Sequence, residues 1–197
     1  VRNDDAYSPG GQIGLRPDRA TAVYCQRARE AFRGVPVIAG GVEASLRRIA
    51  HYDYWSDKVR RSILMDSKAD LVVFGMGEQP IAEIMRRLAA GQSVRQMRGI
   101  RGVAYRLGAS EAVGQASSLA QDQSGTSEQS GTSEDAYPTA VLPSFEEVEA
   151  EPRKFALMTR LAHHETNPYN ARRLVQYHGR EAVVVNPPSL PLSEEEM

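Results

Sequence analysis

Two glycine-bearing turns are the first places where this 197-residue sequence could hold a ligand, and each follows a short apolar run. In a parallel sheet such turns lie at the carboxyl ends of strands, beside helix N-termini, where ligands normally bind. Neither turn has the GxxxxGK(S/T) or GxGxxG spacing of nucleotide-binding loops. The alternative left open is that the glycines only make tight strand-to-helix turns. The pocket-wall candidates are Gly40, Gly41, Gly75, Gly77 and Glu78.

A stretch of mixed basic, acidic and aromatic residues lies between the two turns, at 44–57. Arginine–aspartate pairing and stacking of guanidinium groups on rings could order it without any ligand. Two alternatives stay open: the stretch contacts another domain of the same protein, or it holds a nucleic-acid strand. His51 and Asp53 could form an acid–base pair, although a structural role explains them better. The residues expected to organise this surface are Arg47, Arg48, His51, Asp53 and Trp55.

Cysteine and histidine usage limits the metal chemistry open to these residues. The single cysteine, Cys25, excludes a disulfide within the chain and a cluster held by three cysteines. Its place in a helical pattern predicts a small packed side chain. His163 and His164 are adjacent, so on a helix they point about 100° apart and cannot easily share one ion. We therefore expect no metal ligands here.

Composition and charge define the class of protein. Hydrophobic residues make up 41% and charged residues 25%, as in globular proteins. The net charge of -1 hides an asymmetry: residues 1–107 carry 18 basic and 11 acidic side chains, and residues 108–197 carry 6 and 14. The basic half keeps nucleic acid open as a less favoured partner. No apolar run reaches the roughly 18 residues of a membrane span, so we expect no membrane partner.

Helical periodicity and short apolar runs alternate in the first half of the chain. Helix, strand, helix, strand, helix is the order of an α/β layer with a parallel sheet. The patterns predict helices at 17–32, 43–49 and 80–90, and strands at 35–39, 70–74 and 103–107.

The second half begins with a change of composition. Residues 108–138 are rich in Ser, Gly, Gln, Ala and Thr and contain QSGTSE twice in tandem, which predicts a flexible linker. Order is expected to resume at a capping box of Ser144 and Glu147, followed by helix with a break at Pro152. The remaining patterns predict a short helix at 170–178 and a strand at 182–185.

Five segments, taken in order, resemble the amino-terminal region of the YgiQ family of radical S-adenosylmethionine (SAM) proteins. They are RPDRATAVYCQRAREAF, VPVIAGGVEASLRRIAHYDYWSDKVRRSILMDSKADLVVFGMGE, LPSFEEV, LAHHETNPYNARRLVQYHG and VVVNPPSLPLSEEEM. HYDYWSD and HHETNP make the resemblance specific.

The resemblance implies a modular enzyme, of which this chain is the amino-terminal piece. Residues 1–107 would form an α/β domain similar to cobalamin-binding domains, a Rossmann-like, partial doubly wound parallel sheet lacking its first βα unit. The Ser/Gly-rich insertion at 108–138 would follow, and residues 139–197 would be a small α/β segment connecting to a downstream radical SAM barrel. That barrel, expected beyond Met197, would be the partner of this chain in a cytoplasmic bacterial protein.

The same resemblance implies that the parent protein uses a 4Fe-4S cluster and SAM, held by a CxxxCxxC loop. None of those three cysteines is in this chain, so we expect it to bind no cofactor and not to catalyse alone. Cobalamin binding is doubtful because no DxHxxG motif occurs. The leading hypothesis is an accessory domain whose glycine turns face the barrel. The alternative is a stand-alone module that binds RNA or a phosphate ligand.

Overall fold

Runs of aliphatic and β-branched residues form a central six-stranded sheet, and amphipathic segments form the helices that cover it. The structure, a computed structural model, describes residues 4–123 and 137–194, apart from the side chains of 117–123. The helices in those residues are α1 (Ala20–Ala31), α2 (Gly41–Leu46), α3 (Ile63–Ser67), α4 (Glu78–Ala89), α5 (Ala109–Gln123), α6 (Phe145–Ala150) and α7 (Pro152–His164). The strands are β1 (Ile38–Ala39), β2 (His51–Asp53), β3 (Lys58–Arg60), β4 (Leu71–Val73), β5 (Val103–Leu107), β6 (Thr139–Val141), β7 (Arg173–His178) and β8 (Glu181–Val185).

The six-stranded sheet has the order β1-β4-β5-β8-β7-β6, and β2 pairs with β3 in a separate hairpin. Only β1–β4 and β6–β7 are parallel, and the three central pairs are antiparallel. The fold class is therefore α/β, as expected, but the sheet is mixed and not a doubly wound parallel one. The connection that follows β4 explains why the sheet is mixed. Helix α4 and a short 3-10 helix return the chain to the end where β4 finishes, so Val103 at the start of β5 pairs with Val73.

Alternation along the strands divides the core between the two faces of the sheet. Val72 packs with a cluster that includes Met158 of α7, whereas its neighbour Val73 packs with a cluster that includes Ile84 of α4. Buried residues of α1, α2, α3, α6 and α7 belong to the first cluster, and those of α4 and α5 to the second. The described part of the protein thus has three layers, with the sheet between two layers of helices.

The elements with strong local signals form where the sequence predicts them. Helices α1 and α4 and strands β1, β4, β5 and β8 lie within or beside the expected ranges. Ser144 and Glu147 make the predicted capping box: the Ser144 side chain accepts from the Glu147 N–H at 3.3 Å, and Glu147 accepts from the Ser144 N–H at 2.8 Å. A new helix begins at Pro152 because proline suits the first helical turn.

The expected helix at 170–178 is wrong, because this segment forms strand β7. It pairs antiparallel with β8, and Gly179 at φ +64° lies in the two-residue turn that follows His178. A two-residue turn containing glycine between apolar runs is itself a hairpin signal. The pattern of Leu174, Val175 and Tyr177 also fits a strand of which both faces are covered.

The segment expected to be a flexible linker begins with a helix, α5. Ala109, Ala112 and Ala116 recur at helical spacing, and buried Ala112 lies in the core cluster shared with β5 and β8. Alanine is the best helix former, so the spaced alanines favour a helix despite the Ser and Gly content of the segment. The tandem repeat lies mainly outside the described residues.

The sheet crosses the boundaries expected at 107 and 139. Strand β5, from the first segment, pairs with β8, from the last, and four registered pairs join them. Residues from both segments also share the two core clusters. In the described part of the chain, no helix is both long and apolar enough to cross a membrane.

Candidate functional site

The glycines of the two strand-to-helix turns lie around one depression at an edge of the sheet. Strands β1 and β4 are parallel neighbours, so the turns after them meet at the same end. The depression has a volume of about 300 Å³. Its lining residues are Ile38, Ala39, Gly40, Gly41, Val73, Gly75, Gly77 and Ile81. Glycine is required at two of these positions, since Gly41 has φ +80° and Gly75 has φ +70°.

The chemistry of this depression is apolar. Its lining residues carry no charged side chain and no histidine, so they offer no axial ligand for a cobalamin. Val42 and Met76, which follow the glycines, expose large parts of their side chains to solvent. The fifth candidate, Glu78, is exposed at the start of α4 and does not line the depression. The site suits an apolar group or a protein surface better than an anion.

Asp53, at the end of β2, anchors the second group of candidates. It is only 2% exposed and accepts hydrogen bonds from Arg19, from the Ser56 hydroxyl at 2.8 Å and from the Trp55 N–H at 3.4 Å. The Arg19 hydrogen bond is the main cause that lowers the pKa of Asp53 to about 2, against the opposing effect of burial. Asp53 is therefore an ionised structural centre and not a proton donor at neutral pH.

Arg47 and His51 line a cleft of about 290 Å³ together with Arg19 at the start of α1 and Arg60 of β3. Register brings His51 opposite Arg60 in the β2–β3 hairpin. Arg47 donates to Glu43 at 2.7 Å, and the Glu43 carboxylate also accepts from the N–H and hydroxyl of Thr21 in α1.

Burial is the first cause that lowers the pKa of His51, and the nearby Arg47 and Arg60 act in the same direction. Its Nδ1 lies 3.3 Å from the Ile49 carbonyl oxygen. Among the described residues no hydrogen bond joins His51 to Asp53, whose carboxylate accepts from Arg19, Ser56 and Trp55 instead.

Arg48 has a packing role between the two sites. Its guanidinium carbon lies 4.6 Å from the centre of the Phe74 ring, and Phe74 directly precedes the Gly75 turn. Nη1 donates to the Ser45 carbonyl. Burial lowers the pKa of this arginine.

Trp55 lies in the turn of the hairpin and is exposed. Its ring centre is 4.7 Å from that of Tyr54, which is exposed as well. Tyr52, on β2, donates its hydroxyl to Asp57. The aromatic residues of this stretch therefore form an outer surface beside the buried Asp53.

The other residues considered for metal chemistry are separated. Cys25 is buried in α1, and burial raises the pKa of its thiol. His163 and His164 end α7 with ring centres 6.5 Å apart, and Glu165 beside them is held by Arg172 at 2.6–2.8 Å. The described residues contain no group of three or more His, Cys, Asp or Glu side chains placed to hold an ion.

Two arginines of the cleft, Arg19 and Arg60, were not singled out by the sequence. Arg19 is 34 residues from Asp53, and no local pattern links them. Arg60 had a weak signal, because the hairpin pairs it with His51 once Tyr54–Asp57 is taken as a turn.

Comparison with known proteins identifies the chain. The family model described as radical SAM N-terminal matches residues 1–197, which is the whole chain. The chain belongs to the radical SAM N-terminal family.

Relatives of this radical SAM N-terminal chain confirm the resemblance to the YgiQ family. A UPF0313 protein of Rhodopseudomonas palustris is 49% identical over 198 residues, which cover all of this chain and 29% of that relative. The UPF0313 proteins YgiQ of Salmonella typhimurium and Escherichia coli K12 are 43% and 42% identical, and the match covers 32% and 31% of their lengths. The chain thus spans about 30% of the length of these curated relatives. No solved structure matches it.

The residues of this radical SAM N-terminal chain do not fit the cluster that the family name suggests. A 4Fe-4S cluster is held by cysteine thiolates, and the chain has one cysteine, which is buried and has a raised pKa. The cluster and its chemistry therefore have no ligand set in these residues.

Proposed function

We propose that this chain is the accessory domain of a radical SAM enzyme whose 4Fe-4S cluster and SAM are bound by the rest of the polypeptide. The single observation that carries the proposal is the family match over residues 1–197 together with relatives about three times as long. In this role the chain does not catalyse by itself. Its single cysteine suits a reducing compartment, and we place the parent protein in the bacterial cytoplasm.

The role of the domain would be to present the glycine-lined depression to the catalytic barrel. Three features support this assignment. The depression is apolar, its rim exposes Val42 and Met76, and glycine backbone lets a neighbouring surface approach closely. On this proposal the Asp53 hairpin, with Trp55 at its tip, shapes the adjoining surface and the access of substrate.

The test is the iron content of the full-length protein after anaerobic reconstitution. Cys25→Ala should leave the iron per polypeptide unchanged, because a buried thiol with a raised pKa is a poor ligand. A matched cysteine substitution in the CxxxCxxC loop expected downstream should abolish the cluster. Loss of iron in Cys25→Ala, or a full-length protein that binds no cluster, would overturn the proposal.

The alternative function, RNA binding by the module itself, is favoured by one observation: the exposed pair of Tyr54 and Trp55 with ring centres 4.7 Å apart. Such a pair can stack bases. Trp55 is the only tryptophan of the chain, so its fluorescence reports on that surface. A titration with single-stranded RNA at low salt should change the fluorescence if this function holds, and an unchanged signal contradicts it.

A further inference from the structure

The cleft between α1 and the β2–β3 hairpin is built differently from the glycine-lined depression. Three guanidinium groups line it, those of Arg19, Arg47 and Arg60, and they come from three separate parts of the chain. The carboxylates of Asp18 and Asp66 are the acidic groups of the lining.

Two carboxylates outside the cleft lining hold two of its arginines in place. Asp53, which is not among the lining residues, accepts from Arg19, and Glu43 holds Arg47 at 2.7 Å. Because Glu43 also accepts from Thr21 of α1, the positions of α1 and Arg47 are coupled. Guanidinium groups fixed in this way lose little conformational entropy when they bind an anion.

The Arg60 guanidinium keeps hydrogen-bond donors available in the cleft. Within the described part of the chain, Arg19 Nε is buried and has no hydrogen-bond partner. Arg60 lies 4.0 Å from the Asp53 carboxylate and 3.6 Å from that of Asp66, which is beyond hydrogen-bonding distance. The buried Arg19 Nε has no surface that a ligand could reach, so the donors open to a ligand are those of Arg60, whose side chain is 36% exposed.

The neighbouring arginine shows that Arg60 is not needed to neutralise Asp66. Arg61 donates to Asp66 at 3.0 Å, is half exposed, and does not line the cleft. Asp66 is therefore already paired. The Arg60 guanidinium lies between the carboxylates of Asp53 and Asp66, at 4.0 Å and 3.6 Å. The register of the hairpin places Arg60 opposite His51.

We propose that this cleft binds the phosphate group of a small phosphorylated molecule. Arg19, Arg47 and Arg60 bind the phosphate oxygens, since guanidinium groups match phosphate geometry. The apolar side of the cleft, formed by Ala22, Val23 and Ile63, contacts the organic part. A volume of about 290 Å³ suits a small molecule and is too small for a folded partner. The site does not depend on the accessory-domain role.

The experiment is calorimetric titration of the full-length protein with inorganic phosphate and with glycerol phosphate, at constant low ionic strength. Arg60→Gln should weaken phosphate binding roughly tenfold, which is the usual effect of removing a charge-assisted hydrogen bond. Arg27→Gln is the matched control, because it removes an exposed arginine of α1 that bonds to Glu30 outside the cleft lining, and it should keep affinity within about twofold.

Arg47→Gln provides a second variant and should also weaken binding, with far-ultraviolet circular dichroism confirming that each variant is folded. Glycerol phosphate that binds more tightly than phosphate would show that the apolar side is used. Absence of saturable binding of both probes, or equal weakening by Arg60→Gln and Arg27→Gln, would overturn the proposal. Neither result bears on the cluster experiment, so the two proposals fail separately.

Discussion

Asp53, the last residue of β2, accepts a hydrogen bond from Arg19, which lies 34 residues earlier at the start of α1. This ion pair joins the hairpin to the first helix beside the arginine cleft, which Arg19 lines. The carboxylate is buried, whereas the arginine side chain is one-third exposed. The Asp53 carboxylate is thus neutralised in the protein interior, whereas part of the Arg19 side chain faces the cleft.

Replacing Asp53 by asparagine should destabilise the protein by about 2 kcal/mol, because it removes the acceptor of a charge-assisted hydrogen bond in a buried position. Urea-induced unfolding of the wild type and of Asp53→Asn measures this change. Asp57→Asn is the matched control, since Asp57 is four residues away and bonds to Tyr52 at an exposed position. The control should change stability by less than about 0.5 kcal/mol. Equal effects of the two substitutions would contradict the role given to Asp53.

His178 should make stability depend on pH. Its ring is buried and stacks on Phe145 with centres 5.6 Å apart, and neither ring nitrogen has a hydrogen-bond partner among the described residues. Burial lowers the pKa of His178 from 6.5 to about 4 in the folded protein.

The unfolded chain therefore takes up a proton at His178 that the folded protein does not, between pH 6.5 and pH 4. Stability from this group is fully present above pH 6.5 and is lost as the pH falls through that interval, by about 3 kcal/mol. His178→Phe keeps the stacking and should remove this part of the pH dependence in urea unfolding. His164→Gln, at an exposed site, should retain it. An unchanged slope in His178→Phe would count against the prediction.

Gln176 should be important for stability, because it connects β7 to two other segments. It is fully buried, accepts from the Ala50 N–H at 2.7 Å and donates to the Pro143 carbonyl at 3.0 Å. Gln176→Leu leaves the Ala50 N–H without its acceptor and should lower the free energy of unfolding by about 2 kcal/mol. Gln92→Leu, at an exposed position, is the comparison for urea unfolding and should stay near the wild type.

Gly40→Leu should fill the glycine-lined depression without distorting the backbone. Gly40 has an extended φ of -154°, and a Cβ there would lie 3.7 Å from the Val73 carbonyl oxygen, an ordinary contact. If the depression receives the catalytic barrel, the added side chain displaces that surface and exposes Met76 at the rim.

The measurement is hydroxyl-radical oxidation of Met76 in the full-length protein, with buried Met97 as an internal reference. Oxidation of Met76 should increase several-fold in Gly40→Leu. Gly114→Leu makes the same chemical change at an exposed position of α5 and should have no effect. Identical oxidation in the wild type and Gly40→Leu would argue that no surface covers the depression.

Local signals were sufficient for the elements that depend on a few neighbouring residues. The apolar stripe of α4, the Ser144–Glu147 capping box and the buried run of β4 each act over one or two turns, and each predicted its element. Two elements were predicted wrongly, because their local signals, the glycine turn after β7 and the alanine spacing of α5, are weak and distant contacts decide the outcome. β7 is a strand because β8 and β6 pair with it, and α5 is a helix whose buried Ala112 meets the sheet.

The sequence by itself determined the α/β class, the helices with clear periodicity, the family and the glycine turns at the carboxyl ends of β1 and β4. Those features follow from spacing, caps and motifs that act locally. Only the tertiary structure decided the mixed direction of the sheet, the single sheet that joins both halves, and the meeting of Arg19, Arg47 and Arg60 in one cleft. These depend on contacts between distant segments, which are set by the packing of the whole chain and not by the pattern of any one segment.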